Sequence, residues 1–215
     1  MCGNGSRCVA RFAYLKGIAG PEMVFLTKAG PIRASVSKRR VKVLMPKPWG
    51  LKMGLSLLKD GAEISMDFIN TGVPHSVIIT EGLEDLPVES LGRHIRFHNL
   101  FSPQGTNVNF VKVLDKNQIM VRTYERGVEG ETLACGTGSV ASALITSLRG
   151  MTDSPVSVIT RGGEVLKVYF ALQGNEIAEV FLEGDTTLVC KGFLFEEAFD
   201  QDLTLSQRQK GGADV

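Results

Sequence analysis

The chain has 215 residues, a formal net charge of +1, 43% hydrophobic and 22% charged side chains, and four cysteines. That suits one large or two small globular domains. It argues against a strongly basic nucleic-acid binder and a disulfide scaffold, and no apolar run approaches the ~20 residues of a membrane-spanning helix. The N-terminus has no charged-then-apolar export pattern, so the expected compartment is the cytoplasm, with reduced thiols.

In chain order, Cys2-Gly3-Asn4-Gly5 is a small-residue turn, and a helix is predicted over 5–16. Strands follow at 22–27, 31–37 and 41–45. The basic run Lys38-Arg39-Arg40 reads as a solvated strand edge. Pro46-Lys47-Pro48-Trp49-Gly50 marks a boundary, and the Met-, Leu- and Lys-rich stretch 51–60 is given no element. A strand at 63–69 leads through Asn70-Thr71-Gly72-Val73-Pro74-His75 into an apolar strand at 76–80. Pro87 opens a helix over 88–98. From Gly105 the chain alternates into a strand reaching 114. Lys116-Asn117 turns it into another at 119–124, which ends at Glu125-Arg126-Gly127. A Gly-rich loop then reaches Cys135-Gly136-Thr137-Gly138. The helix behind it has Val140, Leu144, Ile145 and Leu148 at helical spacing and stops at Gly150. Strands are predicted at 156–160, 164–171, 176–182 and 186–195, and the polar tail 201–215 is expected to be disordered. The fold class expected is α+β.

The two cysteine stretches are copies of one another. Residues 1–17 overlie 134–150 without a gap, matching at Cys2/Cys135, Gly3/Gly136, Gly5/Gly138, Ser6/Ser139, Ala10/Ala143, Leu15/Leu148 and Gly17/Gly150. The register continues to Thr27/Thr160 and Ile32/Val165. This is an internal duplication of a turn–helix–hairpin unit. The second copy has predicted strands upstream of its helix and the first has none. If the copies fold alike, the first helix shows apolar surface that such strands would cover, and the chain is expected to be truncated at its N-terminus.

Two equivalent cysteines at two helix N-termini, related by a pseudo-twofold axis, can flank one small molecule. One thiolate removes a proton from carbon and the opposite thiol returns one to the other face. The backbone N–H groups of both turns suit a carboxylate and the enolate-like charge that develops. Cys8 and Cys190 read instead as buried small hydrophobes. Zinc is disfavoured by the lack of a C-x-x-C pair and the presence of only three His. Neither turn has a Walker GK[ST] ending, and the positions six residues after the two cysteines are Cys8 and Ala141 rather than a phosphatase Arg. His75 reads as structural or as a tuner of a nearby thiol. Glu125 and Arg126 suit an ammonium and a carboxylate, and Asn107 offers an amide donor and acceptor.

At these residues the chain resembles the diaminopimelate epimerase family. The residues that carry the likeness are Met1-Cys2-Gly3-Asn4-Gly5-Ser6-Arg7-Cys8, Gly72-Val73-Pro74-His75, Gly105-Thr106-Asn107-Val108-Asn109-Phe110, Thr123-Tyr124-Glu125-Arg126-Gly127 and Ala134-Cys135-Gly136-Thr137-Gly138-Ser139, in family order. Proline-racemase-like relatives usually carry His where this chain has Asn4. The resemblance implies two pseudo-symmetric halves, each a strand barrel around a central helix, with the first incomplete because the family's N-terminal portion is missing. Residues 1–45, joined by 191–200, would be the remainder of the first half, and 46–190 the second. It implies interconversion of LL- and meso-diaminopimelate in lysine and peptidoglycan-precursor synthesis, with no pyridoxal phosphate or metal. Cys2 and Cys135 would exchange protons, His75 and Glu125 would adjust thiol pKa, and Gly3, Asn4, Gly136 and Thr137 would hold the reacting carboxylate. Asn107, through its amide, Glu125 and Arg126 would hold the distal amino-acid group. Val73 stands where many members have Asn, so only its backbone would serve there. The expected partner is the small-molecule substrate, with no nucleic acid or membrane, and a homodimer is left open. Alternatives are an inactive fragment of such an enzyme, a related amino-acid racemase, and a thiol redox protein in which facing cysteines form a disulfide.

Overall fold

The structure is a computed structural model that describes residues 2–28, 30–173, 176–193 and 195. The expected disordered tail 201–215 lies outside the described residues. Within them the fold is α+β, as the pattern predicts, with three α-helices and a twelve-stranded sheet.

The first copy is α1 (Gly3–Leu15), β1 (Glu22–Thr27), β2 (Gly30–Ser37) and β3 (Arg40–Leu44). The second is α3 (Gly136–Leu148), β10 (Val156–Thr160), β11 (Val165–Gln173) and β12 (Glu176–Asp185). Between them lie β4 (Trp49–Lys59), β5 (Ala62–Asn70), β6 (Pro74–Ile79), α2 (Val88–Arg96), β7 (Asn107–Asp115), β8 (Gln118–Glu125) and β9 (Gly130–Thr132). The strand order is β1-β2-β3-β12-β11-β10-β8-β7-β6-β5-β4, with β9 on β8. The first six strands of that order form a palindrome. Equivalent strands β3 and β12 pair antiparallel at its centre, from Leu44↔Phe181 to Arg40↔Asp185. This hydrogen-bonded pair joins the two copies into one sheet.

The duplicated helices end alike. Gly17 and Gly150 have φ of 68° and 70°, a left-handed conformation that glycine adopts without steric cost. In each, the next residue's N–H reaches back over the last turn, Ile18 to Ala13 at 2.9 Å and Met151 to Thr146 at 2.9 Å. Alternation then decides which face each strand buries. On β7, Asn107, Asn109 and Val111 face α3. Val108 and Phe110 face the outer layer, where α2 covers them with Val88 and Ile95. On β8, Val121, Thr123 and Glu125 share the α3-facing phase, and Tyr124 belongs to the outer cluster.

Several expectations need correction. Residues 186–193 form no strand. The Thr186 N–H is tied to the Arg39 carbonyl in the β2–β3 turn at 2.8 Å, and beyond it Leu188, Val189 and Phe193 are exposed. The unassigned stretch 51–60 forms most of the edge strand β4, where register shifts on both sides of Lys52 break the ladder. Lys38-Arg39 form the β2–β3 hairpin turn and Arg40 opens β3, all three exposed. Arg40 is ion-paired to Glu183 at 3.1 Å and Asp185 at 3.5 Å. Cys8 and Cys190 are both exposed, and Cys190 lies in no strand. Buried Arg7 on α1 reaches Glu164, in the hairpin of the other copy, at 3.3 Å. Burial pushes the Arg7 guanidinium pKa down and Glu164 opposes that.

Candidate active site

Cys2 and Cys135 are the N-cap residues of α1 and α3. Their backbones match closely, at φ −128°, ψ 107° and φ −126°, ψ 109°. An N-cap side chain sits beside the unpaired N–H groups of its helix, where the dipole favours negative charge. The Gly5 N–H donates to Cys2 Sγ at 3.4 Å. Cys135 Sγ lies 3.6 Å from the Thr137 hydroxyl. The two helix starts meet over Leu182 of β12. A Cβ on Gly3 would lie 2.9 Å from Leu182 Cδ2, and one on Gly136 would lie 3.0 Å from it. A side chain at either position would have to displace the Leu182 methyl.

Both cysteines line one cavity of about 190 Å³, together with Gly3, Asn4, Val73, Asn107, Glu125, Arg126, Ala134, Gly136 and Thr137. Every residue singled out for catalysis or substrate contact is therefore in one lining, apart from His75. That ring is fully buried next to the lining, on β6. Burial, with Arg126 adding to it and Asn109 opposing, pushes His75 down to about 3, so it is neutral at physiological pH. The Asn109 amide donates to the Ser76 carbonyl at 3.0 Å and to His75 Nδ1 at 3.1 Å, and accepts from the Thr123 hydroxyl at 3.0 Å. His75 Nδ1 is thus an acceptor, and the ring proton is on Nε2.

The thiols differ in setting. Cys2 is exposed, and Cys135 is 8% exposed. Burial and then Glu125 push the Cys135 thiol up to about 11, although the Thr137 hydroxyl and the Gly138 and Thr137 N–H groups pull it back. Cys135 therefore enters the site as a proton-bearing thiol. Asn107 is more committed than its sequence position suggests. Its Nδ2 donates to the Pro74 carbonyl at 2.8 Å and its Oδ1 accepts the Arg126 N–H at 2.8 Å. One donor and one lone pair remain for a ligand.

Sequence reasoning missed three supporting residues. Asn109 holds His75, Thr123 holds Asn109, and Thr71 ties the Val73 turn to the Thr137 carbonyl at 3.0 Å. Asn109 could have been found, because it lies two residues from Asn107 on the same strand face. Among the described residues, no group of His, Cys, Asp and Glu comes together in a way that could hold a metal ion.

The family profile for diaminopimelate epimerase matches residues 68–189. The diaminopimelate epimerase of Aquifex aeolicus is 50% identical over 203 residues, spanning 93% of this chain and 71% of that relative. The chain belongs to the diaminopimelate epimerase family. It is accordingly an epimerase, an enzyme of the isomerase class. The diaminopimelate epimerase of Hydrogenobaculum sp. is 47% identical, with coverage of 93% and 72%. The fold is shared with more distant solved structures. A hydroxyproline epimerase from Agrobacterium vitis superposes with a TM-score of 0.66 at 18% identity, covering 86% of this chain and 63% of its own. A PhzF-family phenazine biosynthesis protein from Bacillus anthracis gives 0.65 at 14%, with 86% and 73% covered. Among the described residues no helix is long and apolar enough to cross a membrane.

Proposed function

We propose that this chain interconverts LL- and meso-diaminopimelate by two-thiol proton transfer, as a step in lysine and peptidoglycan-precursor synthesis. The observation that carries this reading is the shared cavity. Two N-cap cysteines of matching backbone line it together with the carboxyl side chain of Glu125 and the guanidinium side chain of Arg126. The thiolate of Cys2 takes the α-proton and the C–H electron pair delocalises into the carboxylate. The Cys135 S–H then delivers its proton to the opposite face. The configuration is inverted, Cys2 is left as thiol and Cys135 as thiolate, and the reverse direction exchanges the roles. Gly3, Asn4, Gly136 and Thr137 hold the reacting carboxylate at two helix N-termini, whose N–H groups and dipoles stabilise the enolate charge. Arg126 takes the distal carboxylate, Glu125 the distal ammonium, and the free donor of Asn107 and the Val73 backbone complete that end. Glu125 tunes Cys135 through its charge. His75 contributes as a neutral ring rather than as a titrating base.

The test is solvent isotope incorporation. In D2O the protein should place deuterium at the α-carbon of diaminopimelate, and Cys135→Ala and Cys2→Ala should each abolish stereoinversion. Inversion that persists in Cys135→Ala would exclude the mechanism.

A further inference from the structure

The turn that carries Glu125 and Arg126 closes on an unexpected residue. Glu129 has φ 58°, in the left-handed region that a side-chain-bearing residue adopts only at a steric cost. Glycine would be the unstrained choice, and glycines stand on either side at positions 127 and 130. The carboxylate explains why Glu is there. Its Oε1 accepts the Gly127 N–H at 3.0 Å and two N–H groups of Arg96, Nε at 3.2 Å and Nη2 at 3.0 Å. Its backbone N–H closes the turn onto the Glu125 carbonyl at 2.8 Å. Burial pushes this carboxyl up, but the Gly127 N–H and Arg96 outweigh it and hold it below the usual range, so it is ionised.

Arg96 connects this turn to the opposite loop. It projects from the last turn of α2, and its Nη1 reaches the Gln104 carbonyl at 3.5 Å. A Cβ on Gly105 would lie 1.7 Å from that nitrogen, so only glycine lets the guanidinium through. The same Gln104 carbonyl accepts Arg126 Nη1 at 3.1 Å. Two guanidinium groups thus converge on one oxygen. Arg126 lines the cavity and Arg96 does not. Without the Glu129 charge the two cations repel with no anion between them, and Arg96 keeps the long bond to Gln104 and the Phe97 ring 4.6 Å away but loses its ion pair.

We propose that Glu129 is a positioning residue for substrate binding. It anchors Arg96 and the Gly127 N–H, and so fixes Arg126 in the place where an anionic end of the substrate meets it. This rests on Arg126 being the ligand for the distal carboxylate of diaminopimelate.

The diagnostic variant is Glu129→Gly, which removes the carboxylate and the backbone strain together. Its thermal midpoint should not fall. Its KM for diaminopimelate should rise about tenfold, as expected for a lost charge-assisted contact, with kcat changing less than KM. Glu129→Gln keeps an acceptor for Gly127 and should fall between. A stable Glu129→Gly protein with wild-type KM overturns the proposal. A second measurement needs no substrate. Phenylglyoxal labelling of Arg126, followed by peptide mass spectrometry, should be faster in Glu129→Gly than in the unaltered chain, and equal rates overturn the clamp. If the unaltered chain neither binds nor converts diaminopimelate, the substrate assignment fails and the labelling comparison still decides the role of Glu129.

Discussion

The two copies of the turn–helix–hairpin unit share sequence, caps and backbone angles, yet their helices live in different surroundings. Helix α3 is buried from Gly136 to Thr146, packed by β5–β8 on one side and β10–β12 on the other. Helix α1 packs mainly on β2 and β3 and touches α3. Its outer face leaves Val9, Phe12 and Leu15 in solvent, beside a hollow of about 450 Å³ that also reaches Cys2 and Phe25. The sequences record this difference. The α3 segment is apolar or small nearly all round, and the α1 segment carries Arg11 and Lys16. The lesson is that duplication preserves what the chemistry needs, the cysteine cap and its glycines, while the rest of each helix follows the neighbours it has.

Paired substitutions test that contrast. Phe12 and Ile145 occupy the same position in the two copies, 51% and 0% exposed. Ile145→Ala should cost about 2–5 kcal/mol in urea unfolding, as buried large-to-small changes do. Phe12→Ala should cost under about 1 kcal/mol, since half the ring is already wet. Equal losses would mean that the outer face of α1 is covered in solution.

The thiols should separate next. A raised pKa of about 11 cuts the Cys135 thiolate by on the order of a hundredfold relative to an ordinary thiol, and burial slows access further. Iodoacetamide at pH 8, read by mass spectrometry over time, should label exposed Cys2 and Cys8 well before Cys135. Simultaneous labelling would contradict the asymmetry.

The equivalent glycines Gly5 and Gly138 differ more quietly. A Cβ at Gly138 would sit 2.3 Å from Asn109 Oδ1, and one at Gly5 meets nothing nearer than Cys2 Sγ at 3.5 Å. Gly138→Ala should lose about 1–3 kcal/mol by overpacking and disturb the Asn109–His75 contact. Gly5→Ala should change stability by under about 0.5 kcal/mol.

The last effect is a slope rather than a step. His75 is held near 3 in the fold and returns to an ordinary value, ~6.5, on unfolding. Between those values the unfolded chain binds the extra proton, so stability rises with pH and is lost as pH falls below ~6.5, by at most ~1.4 kcal/mol per pH unit. Replacing His75 with Gln should flatten that part of the stability–pH curve. An unchanged slope would show that other groups produce it.

Much of this was legible in the residues. Cysteine and glycine spacing located both caps, both helices and both following hairpins, because those positions obey local rules of capping and turn chemistry, while the resemblance to the family and side-chain chemistry pointed to the other lining residues. Strand β4 could have been read too. Leu51, Met53, Leu55 and Leu57 alternate with polar or small residues, but Gly50 and Gly54 disguise the pattern as loop. Other features are not written locally. The exposure of Cys8 depends on which strands lie over α1. The commitment of the Asn107 amide depends on a turn 33 residues away and on the strand end at Arg126. The clamp on Arg126 needs Arg96, Gln104 and Glu129, which only the fold brings together.

Leu182 wedges both cysteine turns at once, with a methyl about 3 Å from where either glycine would carry a Cβ. The two backbones also lie against each other there, since a Cβ on Gly3 would fall 4.0 Å from Gly136 Cα and one on Gly136 3.8 Å from Gly3 Cα. An apolar seat of this kind is not screened by salt, so trimming Leu182 to Val would loosen the footing of both cysteine caps at once.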